Sequence, residues 1–302
     1  MYDLIIVGGG PAGMSAGIYA ARHRLSTLLL APNLGGQAAD SWLVENYLGF
    51  KSISGAELVE RFEEHLGTHQ VERERDAVAE VTRAEDGFGV RTSRGKEFLG
   101  KAVIVCTGRF PRRLGIPGEK EFDQRGVAYC ATCDAPLFAD LNVAVIGGGD
   151  AALQAAAQLL PIASRVYLVS RREWRAEPAL QDRIRGDEKL TALIGYLPLE
   201  IQGTDWVEKL VVRQKDGERV EEIAVGGVFV EVGAVANSAM VKDLVELNEA
   251  REIVVDRLGR TSVPGVFAAG DVTDIPHKQI GIAAGEGAKA FLTAYEYLLR
   301  RR

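Results

Sequence analysis

"YDLIIVGGGPAGMSAGIYAARHRLSTLLLA", residues 2–31, reads as an apolar strand, a glycine turn, an alanine-rich helix and a second apolar strand. Gly8, Gly10 and Gly13 stand where a dinucleotide-binding turn needs them. The first permits the sharp turn, the second lets a pyrophosphate approach the backbone, and the third lets helix and strand pack closely. Phosphates bound there would meet the positive end of the helix that opens at Pro11 and Ala12. The same order returns in "NVAVIGGGDAALQAAAQLLPIASRVYLVSRR" (142–172), with Gly147, Gly149 and Ala152 in the turn and Asp150 and Ala151 opening the helix. Paired βαβ units favour parallel sheets with right-handed crossovers. The expected fold class is α/β, with two Rossmann-like dinucleotide-binding domains.

Working outward, "FGVRTSRGKEFLGKAVIVCTG" (88–108) reads as short strands joined by turns. "VEKLVVRQKDGERVEEIAVGGVFVEVG" (207–233) gives a further strand set with "KDGER" as a hairpin turn. The tail from Ile280 has helical spacing. Proline-bearing "GRFPRRLGIPGEKEF" (108–122) connects the two units, and "GAVANSAMVKDLVE" (233–246) is the expected return. The second unit is thus expected to be inserted into the first. The domain formed by both chain ends would hold residues 1–112 and 245–302, and the insertion residues 113–244.

Composition agrees with two cores. A chain of 302 residues suggests two domains at roughly 100–200 residues each. Apolar residues make up 47% and charged residues 26%, ordinary for a soluble globular protein. The net charge of −6 argues against a nucleic-acid partner, which wants a basic face. No apolar run reaches the length of about 18 residues that a membrane span needs. The N-terminus lacks a basic flank and runs straight into the glycine turn, so it reads as a strand and not a signal peptide. The closing arginines of "LLRRR" suit a solvated helix C-terminus. With three cysteines and no export signal, a cytoplasmic location is expected.

"VAYCATCDAP" (127–136) places Cys130 and Cys133 three apart, with Asp134 directly after. Zinc normally takes four ligands, and no second CxxC or HxxxH pair accompanies these two among four scattered histidines, so no metal is expected. A disulfide closing so small a loop gains little chain entropy. Reversible redox chemistry is the better reading, with a buried structural pair as its alternative. Cys106, in "AVIVCTG", reads as a core residue. At the first turn, the acid that usually holds a nicotinamide ribose is missing: the second strand ends at Ala31. After the second unit comes "SRREWR", where Arg171, Arg172 and Arg175 could pair with a 2′-phosphate or form a solvated basic loop.

Two dinucleotide turns with a CxxCD between them resemble the low-molecular-weight thioredoxin reductase family, and also the flavoprotein core of the alkyl hydroperoxide reductase flavin subunit. "GGGPAG", "GGQ" (35–37), "ENYLGF" (45–50), "YCATCD", "GGGDAA" and "AAGDV" (268–272) fall in family order over nearly the whole chain. "HKQIGIAAGEGAKA" (277–290) lies nearest the hydroperoxide-reductase side. The thioredoxin-like N-terminal extension of that relative is not expected, since residue 1 opens the first strand. The resemblance implies FAD at the first turn, with Gly36, Gln37 and Asn46 near the flavin and Gly108 beside it. Asp271 after Gly270 would bind the ribityl chain, and Lys278, Gln279 and Ile280 would approach the ring. Read without the resemblance, "AAGDV" could be a strand-to-helix turn with Asp271 as N-cap.

The resemblance also implies the chemistry. Electrons would pass from NADPH through flavin to the disulfide, entering at Cys133, and Cys130 would attack the disulfide of a thioredoxin-like protein. Asp134 would hand a proton to the leaving thiolate; its plainer reading is an acid favoured by a helix N-terminus. A homodimer is expected on the same ground. Departures from the family pattern gather at the second turn. Ser170 replaces a histidine, Arg175 comes one residue early, Gln154 and Ala155 replace a glutamate pair, and Ala236 replaces a proline. Three readings therefore stand: an NADPH-fed disulfide reductase, the same chemistry fed by ferredoxin or another redox protein, and a nucleotide-binding module without turnover.

Overall fold

The computed structural model describes residues 1–41 and 43–301; Arg302, the last of the terminal arginines, lies outside the described residues. The chain divides into two compact units, one of Met1–Phe110 with Val235–Arg302, the other of Pro111–Ala234. In sequence the second unit thus lies between the two parts of the first. The return falls ten positions before residue 245, because Met240, Val241 and Val245 are buried in the core of the first unit.

In the first unit, β1 (Tyr2–Val7), α1 (Pro11–Arg22) and β2 (Thr27–Leu30) form the βαβ motif. Strands lie in the order Glu72–Glu74, β2, β1, Glu97–Val105, and the first three contacts are parallel. Strand Val266–Ala268 pairs in parallel with residues 103–105 of the last of these. The early half of that strand instead joins an antiparallel meander with Gly87–Thr92 and Val78–Ala84. "LIIV" (4–7) is continuously apolar because both faces of the strand are covered there. Leu4 and Ile6 pack under α1 and the long helix Ile280–Leu299, while Ile5 and Val7 face Val263, Val266 and Val272 on the other side. Small residues let the two helices touch: a Cβ on Gly287 would collide with the Ala12 backbone.

The second unit repeats the plan. A parallel sheet runs Leu190–Ile194, Arg165–Ser170, Asn142–Ile146, Gly227–Val230, Val127–Ala128. Val143 and Val145 pack on the helix Asp150–Leu159 through Ala152, Ala156 and Leu159. Ala144 and Ile146 meet the opposite layer, a three-stranded antiparallel sheet of Tyr196–Gly203, Val207–Gln214 and Val220–Ala224 whose second hairpin turns at "KDGER". In both units the strand order reverses beside the first βα turn, which is where open α/β sheets present a crevice at the strand C-termini. Among the described residues, no helix is long and apolar enough to cross a membrane.

Candidate functional site

At the end of β1, Gly8 adopts φ 113°, and a Cβ there would run into the Cys106 carbonyl. A Cβ on Gly13 would strike the carbonyl of Gly8, so the third glycine serves packing. Gly10 differs. As N-cap of α1 it has φ −74°, which any residue tolerates, and nothing lies within 4 Å of where its Cβ would stand. The only requirement for glycine there is a partner that occupies the open space. The N-terminus of α1 has Pro11 at its start, no acid in its first turn and no side-chain cap, leaving backbone donors and a positive dipole end for an anion.

Gly36, at φ 54°, stands opposite: its Cβ would come within 3.5 Å of the Gly10 Cα. The loop is tied down by the Gly35 N–H, which donates to the Gly9 carbonyl at 2.8 Å. Gln37 donates through its side-chain amide to the carbonyl of Arg109, and Gly108 just before it has φ 68° with open space beyond its Cα. Gly270 sits between the two helix starts, its Cβ position 3.2 Å from the Ala12 Cβ and 3.4 Å from the Ala283 Cβ. The long helix likewise begins at Ile280 without a side-chain cap or an early acid. Two uncapped helix starts around an open glycine cradle fit the diphosphate of a dinucleotide such as FAD.

Asp271 follows Gly270 and is not an N-cap, since the next helix starts nine residues later at Ile280. Burial raises its carboxyl above the ordinary range, opposed by Arg109 and Lys278. Arg109 Nε lies 3.7 Å from Asp271 Oδ2. Lys278 is nearly buried, donates to the Thr273 carbonyl and pairs with Glu252 at 3.6 Å. Asn46 Nδ2 donates to Gln279 Oε1 at 3.1 Å, joining two segments more than two hundred residues apart in sequence. Gly8, Gly10, Pro11, Ala12, Gly13, Gly36, Gln37, Asn46, Gly108, Gly270, Asp271 and Lys278–Ile280 thus all belong to the first unit. Sequence reasoning missed Arg109 and the buried Glu286, whose Oε2 accepts the Gly270 N–H at 2.8 Å. An acid inside the apolar "AAGEGAKAF" run is the signal that could have found it.

In the second unit, Cys130 and Cys133 form a disulfide with Cα atoms 5.3 Å apart. Cys130 caps a single turn, Ala131–Asp134, and its Sγ accepts the Cys133 N–H at 3.2 Å. Asp134 lies in the first turn of that segment and is the N-cap residue of the following 3-10 helix, Ala135–Phe138, without a side-chain cap bond, so the helix-start reading stands beside the proton-donor one. Burial pushes its carboxyl up to about 6. Cys106 is a free buried thiol, raised far out of the useful range by burial first and Glu286 second. It is a packing residue with no chemistry to offer.

The second turn is less open. Gly147 has φ 151°, and its Cβ would meet the Glu231 carbonyl; Gly149 caps the helix with free space around it. Asp150 now sits in the first helical turn, its carboxylate accepting the Glu177 N–H at 2.8 Å. Ala151 is exposed beside it. The Arg175 N–H donates to the Gly148 carbonyl at 2.7 Å, which folds the shortened "RREWR" back on the turn. The side chains of Arg171, Arg172 and Arg175 are exposed. Ser170 and Trp174 flank Gly148, and their Oγ and Nε1 are buried without a partner among the described residues. Ala155, in place of a family glutamate, is buried in the apolar core, whereas Gln154 faces solvent.

Comparison with known proteins agrees with this geometry. Residues 2–287 match the family model described as pyridine nucleotide-disulphide oxidoreductase. The F component of the alkyl hydroperoxide reductase of Pseudomonas putida is 40% identical over 304 residues, covering 99% of this chain and 58% of that protein. A Ferdinandcohnia aciditolerans protein named NADH dehydrogenase is 40% identical over 300 residues, with the same two coverages. The chain therefore spans 58% of the length of these relatives. Among solved structures, thioredoxin reductase from Streptococcus pyogenes superposes with TM-score 0.94 at 39% identity, and that from Giardia duodenalis with 0.93 at 32%, each covering 99% of both chains.

Proposed function

We infer that this chain, which belongs to the pyridine nucleotide-disulphide oxidoreductase family, is an FAD-dependent reductase that passes electrons from NADPH through flavin and the Cys130/Cys133 pair to a thioredoxin-like protein. The observation that carries the reading is the Cys130–Cys133 disulfide with the raised carboxyl of Asp134 directly after it. Bound FAD supplies two-electron transfer between a nicotinamide and a disulfide. Gly10, Gly36, Gly108 and Gly270 with the starts of both helices would hold its diphosphate, and Asp271 and Lys278 its polar edge. Arg171, Arg172 and Arg175 would take the 2′-phosphate of NADPH beside Gly147 and Gly149.

Two electrons and two protons convert the disulfide to two thiols. Cys130 then acts as thiolate, and the Cys133 N–H aimed at its sulfur favours that charged form. Its attack on the partner's disulfide releases one partner thiol and leaves a mixed disulfide. Cys133, deprotonated, attacks Cys130 Sγ, restores the internal disulfide and releases the second thiol. Asp134, protonated below about pH 6, can give the departing thiolate its proton.

A second reading keeps the disulfide chemistry but takes electrons from a ferredoxin or other redox protein. Favouring it are Ser170 in place of histidine and the acid Asp150 at the very start of the second helix. Anaerobic addition of NADPH decides. Bleaching of flavin absorbance by NADPH is the expected result; bleaching only by dithionite or reduced ferredoxin selects the second reading.

A further inference from the structure

Cys130 follows the shortest strand of its sheet. Only Val127 and Ala128 pair with Gly227–Val230, so no ladder bond holds the backbone from Tyr129 onward. What holds it is a side-chain clamp. The Tyr129 hydroxyl donates to Glu119 Oε1 at 3.2 Å and accepts from Arg113 Nη1 at 2.9 Å. The guanidinium of Arg113 also lies over the Tyr129 ring, 5.1 Å from its centroid. Arg113 is fixed in turn by Asp123 at 2.8 Å.

Glu119 is unusual among the carboxylates of this unit. It is 3% exposed, and its two oxygens accept the N–H groups of Leu114 and Gly115 at 2.8 and 2.7 Å. A buried carboxylate so satisfied is rigid, and leaving it short of a donor is costly. The aromatic body of Tyr129 packs against the core cluster that contains Phe122, as do Leu114 and Ile116. One connector loop thereby grips the residue next to the attacking cysteine from three sides. Nothing in disulfide exchange itself requires these four side chains, and neither nucleotide turn uses them.

We propose that Tyr129, gripped by Glu119 and Arg113, is a positioning residue that sets how firmly Cys130 and Cys133 hold their disulfide. The inference rests on the pair being redox-active. Two thiols close to a disulfide in proportion to their effective concentration, which falls when one of them gains freedom. In the balanced exchange, two glutathione thiols are oxidised to one glutathione disulfide while the protein disulfide becomes two thiols. Loosening the clamp shifts that equilibrium toward the protein dithiol.

The test equilibrates the FAD-loaded full chain anaerobically in glutathione buffers of graded ratio, quenches with acid, alkylates free thiols and counts them by mass. Tyr129→Phe keeps the ring and removes the hydroxyl. It is expected to move the midpoint about three- to tenfold toward the dithiol, the range that loss of one or two hydrogen bonds spans. Tenfold corresponds to roughly 30 mV for this couple. Arg113→Gln, at a half-exposed site that tolerates change, is expected to move it the same way by a smaller factor. If Tyr129→Phe does not fold, the Arg113 variant carries the test. Midpoints within twofold of the parent in folded variants overturn the proposal. A parent chain whose pair never titrates overturns the redox reading instead, so the two failures are distinct.

Discussion

The same strand, glycine turn and helix were built twice in this chain, and the two copies were finished differently. Around Gly10 the first turn opens onto a cradle: no acid, no cap, Gly36 opposite, and a second uncapped helix start brought in at Gly270. Around Gly149 the second turn is partly occupied by its own chain. Asp150 brings a carboxylate into the first helical turn, and Arg175 folds back to bond Gly148. A carboxylate there opposes an incoming phosphate, which the positive helix end and the three exposed arginines would have to offset. A glycine turn is therefore a permission to bind, and its surroundings set how strongly that permission is used.

The largest effect should fall on the chemistry that only the second unit carries. Cys130→Ser and Cys133→Ser should each abolish reduction of a disulfide protein while the yellow flavin stays bound, since exchange needs both sulfurs. Loss of FAD from either variant, measured by absorbance, would break the division of labour between units. Asp134→Asn should lower turnover by about a hundredfold or more, as loss of a general acid does.

Asp134 also makes a stability prediction. Its folded carboxyl, at about 6, lies above the ordinary carboxylate value of 3.8, so the folded state prefers the proton. Stability from this group is complete below about pH 4 and is lost as pH rises to about 6. Asp134→Asn should therefore gain on the parent in denaturant melts across that window and keep a constant advantage above it. An advantage independent of pH would show that the carboxyl is not perturbed.

Substitution at matched positions compares the turns directly. A Cβ at Gly10 or Gly149 meets no neighbour within 4 Å and both backbones are extended, so Gly10→Val and Gly149→Val should both fold. The first should weaken FAD retention by about a hundredfold, because branched carbons would fill the diphosphate space. The second should leave FAD content intact and impair only reduction by NADPH. Equal flavin loss in both would erase the distinction. Smallest is Arg172→Ala. Removing one charge-assisted contact of about 1.5–3 kcal/mol should raise the Michaelis constant for NADPH roughly tenfold or more and leave that for NADH nearly unchanged.

Much of this was legible in the residues. Continuous apolar strands, the glycine spacings and the alanine-rich helices declare two βαβ units, because a strand covered on both faces has no polar side to show. The CxxC spacing likewise declares its disulfide, since three residues suffice to bring two sulfurs together. The second boundary was harder to read: "NSAMVKDLVE" has the look of a connector, and only its burial against Val81 and Val266 assigns it to the first unit.

What tertiary structure alone decided is everything that depends on distant segments meeting. Asp271 looks like a helix cap in sequence, yet Arg109 is its neighbour. Asn46 finds Gln279, and Glu286 finds Gly270, across spans that no local pattern encodes. Asp134 reads in sequence, without the resemblance, as an acid favoured by a helix N-terminus; only burial raises its carboxyl. Local sequence determined backbone geometry, because turn and helix energetics act within a few residues. Charge, openness and proton affinity were set by burial, which is a property of the whole packed unit and not of any stretch within it.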